Sequence, residues 1–304
     1  MGARMQVLVL GAILAMGAAL AWFSAVHPAA TPVWGPWDFS WLVFGGACLA
    51  GWFYALGLWR APEQERPAMP RRVAYFTGVA LIYVVLQTRF EYLALHMFFL
   101  NRVQHLVMHH LGPFLIAWAW PGDTLERGSP RALVWLHRSR PMQDVLRVVQ
   151  QPATAAVLFT GLIVLWLIPP VHVRAMLDPV LYTVMNASMV VDGLLFWFLV
   201  LDPRDRPFAR LSYASRLILV MAVQVPQIMA GAAVAMAATD LYPSYRLCGR
   251  IYASVSAVLD QQIGGFIVYF PGAMMSVLAA LILFRRLWRS EADCRQPAPS
   301  VTSL

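Results

Sequence analysis

The feature that most constrains this chain is a series of eight apolar runs, near residues 6–26, 40–59, 73–89, 97–120, 152–169, 180–201, 216–238 and 259–284. Each approaches the roughly 20 residues a helix needs to cross the hydrocarbon core of a bilayer. Lipid offers backbone amides and carbonyls no hydrogen-bonding partner, so runs of this kind must satisfy their own bonds as helices. They are continuous rather than alternating, which excludes the strands of a membrane barrel. Only 12% of the residues are charged, too few to cover the surface of a soluble domain of this size. The expected architecture is all-α, a polytopic membrane helix bundle of about eight transmembrane helices, forming one membrane domain over residues 1–304 with the lipid bilayer around it. The segment Met1 to Ala30 also has the early Arg4, apolar stretch and small residues of a secretory signal. Its apolar run is longer than a usual signal core, which favours a retained helix; cleavage would leave seven.

All 23 basic residues are arginine, and the net charge is +8. Eighteen of them fall in the two tails, in the loops 60–72, 121–151 and 202–215, or at the adjoining Arg216. Only Arg89, Arg102, Arg174, Arg246 and Arg250 lie in or beside the alternate loops. This asymmetry marks a multi-pass protein of a bacterial inner (plasma) membrane with both termini cytoplasmic, and the charge serves orientation rather than nucleic-acid binding. The loop 121–151 mixes apolar and basic residues at a spacing that predicts one or two short interfacial helices. Cys48, Cys248 and Cys294 form no paired motif, so thiol redox chemistry is not expected.

Ionisable groups inside lipid are costly, so each one marks a candidate site. The fourth run carries HMFFLNRVQHLVMHHLGP from residue 96 and holds four of the seven histidines, His96, His105, His109 and His110. At helical spacing Met97, Asn101, His105, Met108 and His109 share a face, while His110 points more than a quarter-turn away. Two imidazoles four residues apart can hold one metal ion, and thioethers nearby bias such a site toward Cu(I). The alternative is that these histidines only hydrogen-bond to other helices. Asp192 lies midway along the sixth run, where it must be protonated or paired. The eighth run opens with Asp260, Gln261 and Gln262; Asp260 reads either as a helix cap or as a partner of the site. Gln224, Pro226 and Gln227 add a polar, kinked patch on the seventh.

VQHLVMHHLGPFLIAWAWPG at 103–122, DGLLFWFLVLD at 192–202 and DQQIGGFIVYFPG at 260–272 resemble, in that order, the signature helices of the CtaG-like assembly factors of caa3-type cytochrome c oxidases. The similarity spans roughly residues 40–288. The resemblance implies a multi-helix membrane protein that helps to deliver copper during oxidase maturation, and it marks His105, Pro113, Gly193, Trp197, Asp260, Gln261, Gln262, Gly264 and Gly265. One departure is Asn101, which stands where many relatives carry a histidine, leaving His96, His109 or His110 as the replacement. The resulting expectation is a copper-binding assembly factor and not an enzyme, accepting Cu(I) on the periplasmic side. It would pass the ion to a cytochrome c oxidase subunit or a soluble copper chaperone. His105 and His109 are the first candidate ligands, and His96, His110, Met97 and Met108 are alternates. Asp260, Asp192, Gln261, Gln262 and Asn101 are supporting or proton partners. The rival readings are a membrane haem-binding protein and a proton- or ion-coupled transporter using Asp192 and Asp260; the concentration of histidines on one helix and the lack of internal repeats weigh against each in turn.

Overall fold

The computed structural model describes residues 3–204, 209–247 and 249–295, so Cys248 and Arg206 lie outside the described residues. The long helices are α1 (Ala3–Val26), α2 (Trp41–Arg60) and α3 (Met69–Gln87). After the short α4 (Arg89–His96) comes one helical run of 98–119, in which α5 (Phe98–His105) and α6 (Gly112–Ala119) flank a π-helical segment, Leu106–Leu111. Three short helices follow, α7 (Gly122–Gly128), α8 (Arg131–Arg138) and α9 (Arg140–Val149). The rest are α10 (Pro152–Leu167), α11 (Pro169–Leu177), α12 (Pro179–Val200), α13 (Tyr213–Met236), α14 (Ser244–Leu247) and α15 (Ala257–Arg295).

The chain is thus all-helical among the described residues. Six single helices (α1, α2, α3, α12, α13 and α15) are long and apolar enough to cross a membrane, and α10 makes a seventh when joined to α9 across a 71° bend. The expected figure of about eight is matched only roughly. The difference rests on 98–119, whose π segment divides it into pieces that are each too short alone, and on α10, which has 16 residues.

Local chemistry explains the boundaries. Asp178 Oδ1 accepts from the amides of Val180 and Leu181 and so starts α12, and Ser212 Oγ accepts from Ser215 N to start α13. Prolines stand in the first turn of α3, α9, α10, α11 and α12, where a missing N–H costs nothing. The end of α12 is held by arginines from two other helices. Arg286 donates to the carbonyls of Leu201 and Asp202, and the buried Arg216 donates to those of Leu211 and Asp202. The loop expected at 170–179 is mostly the helix α11, and 121–151 holds three helices rather than one or two.

The core lies where the 98–119 run, α10, α12, α13 and α15 meet around Phe159, Phe196, Trp197, Met108 and Met189. Between α13 and α15 the backbones touch: a Cβ on Gly265 would sit 2.5 Å from Ala235 N and 2.7 Å from Gly231 O. Small residues of this kind let helices approach in lipid, where no hydrophobic force drives them together. The α1 helix is peripheral and packs on α2, with Gly17 against Trp41.

Candidate functional site

The site is built on the 98–119 run, and its geometry begins at the start of α5. Met97 precedes the helix and supplies no side-chain cap. Asp260 of α15 does so from across the bundle: its two carboxylate oxygens accept from Phe98 N at 3.0 Å and Phe99 N at 2.8 Å. Arg250 completes the arrangement, donating to Asp260 Oδ2 at 2.6 Å. A carboxylate here satisfies orphan amides and faces the positive end of the helix dipole. Gln261 plays a similar part for α13, donating to the carbonyls of Val234, Ala237 and Thr239 and accepting from Leu241 N.

One turn past His105 the ladder widens. Gly112 N donates to Val107 O, five residues back, in place of the usual four. Pro113 accounts for the break: it has no N–H to give the carbonyl of His109, and its ring would crowd that carbonyl in a regular helix. The freed oxygen is taken by Trp197, whose indole Nε1 donates to His109 O at 3.2 Å. Gly193, one turn earlier on α12, lies against the same carbonyl, and a Cβ there would be 2.4 Å from the oxygen. Pro113, Gly193 and Trp197, far apart in sequence, therefore converge on one backbone atom.

The consequence for the side chains differs from the expected helical face. In the π segment residues five apart come into register, so His105, His109 and His110 together line one cavity of about 30 Å³, with Arg102, Gln227, Met189 and Ile163 among its other walls. That is room for a water or two. The expectation that His110 points away is corrected by this widened turn.

All three imidazoles are buried. His109 Nε2 lies 3.0 Å from Asp192 Oδ2, and its ring stacks on Phe159 with centroids 4.2 Å apart. Gln227 Nε2 donates toward His110 Nε2 at 3.2 Å and to Val268 O at 2.8 Å. The remaining nitrogen of each of those two rings, and both nitrogens of His105, find no hydrogen-bond partner.

The other candidate residues lie elsewhere. His96 sits on α4 with its Nδ1 2.8 Å from Tyr92 O and its ring against Tyr92. Met97 and Met108 are fully buried but absent from the cavity wall. Asn101 accepts from the guanidinium of Arg102 and reaches Met176 Sδ. Gln262 is exposed. Asp260 belongs to the start of α5 and does not line the cavity with the imidazoles, so the anticipated meeting of those groups does not occur. Arg102 also lines the cavity, and the signal for it in the sequence is an arginine within an apolar run, which the orientation count alone does not use. Gln227, expected as part of a polar, kinked patch, is brought to His110 by the packing of α13. Among the described residues, no three His, Cys, Asp or Glu side chains are arranged as a ready-made metal cluster.

No curated protein and no solved structure matches the chain. The model of one family, described as cytochrome c oxidase caa3 assembly factor (Caa3_CtaG), matches residues 52–290. That stretch is most of the chain and contains every residue of the cavity wall, and the chain belongs to this caa3 cytochrome c oxidase assembly factor family.

Proposed function

We propose that the protein serves cytochrome c oxidase assembly by accepting Cu(I) between His105, His109 and His110 on the periplasmic side and handing it to an oxidase subunit or a soluble copper chaperone. The observation that carries this reading is the gathering of three buried imidazoles at one small cavity, each with a ring nitrogen left without a hydrogen bond. Buried nitrogens normally find partners, so their lack of one favours an incoming ligand. His109 is backed by Asp192, the carboxylate–histidine pairing that orients metal-bound imidazoles and raises their basicity. Cu(I) accepts imidazole ligands, and a carrier that must release its cargo is better served by two or three ligands than by a closed cage. The haem reading has weaker support, because all three imidazoles project from one helical run rather than from two facing helices.

The test is copper analysis of the purified protein after loading with Cu(I) and removal of excess metal. Wild type should retain copper in a fixed ratio to protein, and His105→Ala combined with His109→Ala should lose it while still melting cooperatively. Wild-type protein that holds no copper, or a double variant that holds as much, would overturn the proposal.

A further inference from the structure

Arg102 is 3% exposed, projects from a helix in the centre of the bundle and lines the same cavity as the histidines. It donates to the side-chain oxygen of Asn101, and its Nε has no acceptor. Among the described residues no carboxylate lies within ion-pairing distance of it. Asp192 is paired with His109, and Asp260 with Arg250 and the amides of Phe98 and Phe99. The other deeply buried arginine, Arg216, rests on helix-end carbonyls. What surrounds Arg102 is aromatic, with the Phe98 ring centroid 5.0 Å from its guanidinium carbon. A buried charge left in this state is disfavoured unless something of opposite sign reaches it.

We infer that this cavity binds a small monovalent anion of the halide class, held between the guanidinium of Arg102 and an N–H of His105. A cavity of about 30 Å³ suits one ion of that size better than phosphate, sulfate or a carboxylate-bearing metabolite. His105 has both ring nitrogens free, so whichever carries hydrogen can donate to the anion. Ile163, Ile267 and Val268 supply apolar walls, which suit a weakly hydrated halide better than a strongly hydrated ion. The inference shares its cavity and His105 with the copper reading but does not depend on copper being bound there. A cavity of this size holds one ion at a time, so the two occupants are exclusive, and bromide binding is measured separately from copper loading.

The test uses the full chain in detergent, freed of metal by a chelator, with gluconate exchanged for bromide at constant sodium. Ligand that binds only the folded state raises the melting temperature along a saturating curve. Wild type should show that curve. Arg102→Gln should lose it, and His105→Phe, which keeps a ring at that wall but has no N–H to donate, should lose it too. Wild-type crystals grown in bromide should show a bromine anomalous peak beside Arg102. A response of equal size in both variants and wild type, no saturation in wild type, or no bromine peak in the cavity would each overturn the inference. Because no copper is present in these measurements, a protein that binds bromide but not Cu(I) sinks only the copper proposal. One that binds Cu(I) but not bromide sinks only this one.

Discussion

At the scale of single residues, the carbonyl of His109 is where several separate choices meet. Pro113 frees it, Trp197 satisfies it and Gly193 makes room for it. Gly193→Ala should cost about 1–3 kcal/mol in overpacking against that oxygen and should also weaken copper retention, because the atom that yields belongs to the turn carrying His109 and His110. Unfolding and metal loading measured on the same preparation check both parts. Asp192→Asn should leave the fold intact and weaken Cu(I) affinity about 10-fold, measured by competition with a Cu(I) chelator. Glu91, on α4 outside the spans, provides a pH prediction. Burial first, and the neighbouring Asp38 second, push its carboxyl from 4.5 up to about 8. A raised acid is bound to its proton more tightly in the folded state, so the stability it contributes is complete below pH 4.5 and is lost as pH rises through about 8. Glu91→Gln should flatten the fall in melting temperature over that interval.

At the scale of elements, the 98–119 run was recognisable as a span because its apolar content and length suffice, but its internal π segment was not. A regular 3.6-residue periodicity is the only pattern a sequence of this kind displays, and the widened turn comes from Pro113 acting together with groups on α12. Pro113→Ala should restore the amide that a regular helix wants at this position, relaxing the π segment and rotating His109 and His110 out of register with His105. The expected outcome is copper loss with thermal stability unchanged or raised, a combination that plain misfolding would not give. At the other end of the run, Asp260→Ala removes a cap and leaves the half-buried Arg250 without its carboxylate. A loss of about 3 kcal/mol in unfolding measurements is expected from breaking a buried pair. The sequence offered both readings of Asp260, cap or site partner. It could not reveal that the helix being capped belongs to a different span, because that contact bridges residues 98 and 260.

At the scale of the whole molecule, the arginine asymmetry and the helical layout lead to a proposed topology with both termini cytoplasmic. Single cysteines introduced as Glu63→Cys and Arg174→Cys should label from opposite sides, the second in intact spheroplasts and the first only after lysis; the reverse pattern would invert the orientation. The α8–α9 region fits a layer at the membrane surface, with Trp135, Leu136, Val145 and Val148 exposed beside Arg131, Arg138, Arg140 and Arg147, and with α9 turned 71° from α10. The sequence by itself determined the helical membrane architecture, the approximate placement of the spans and the resemblance to the oxidase assembly family, since lipid forces apolar runs into helices whatever their neighbours are. Only the tertiary structure decided which polar groups meet. It joined His110 and Arg102 to His105, separated Asp260 from them and paired Asp192 with His109. Those outcomes depend on helix register and on close backbone approach, which residues distant in sequence set together.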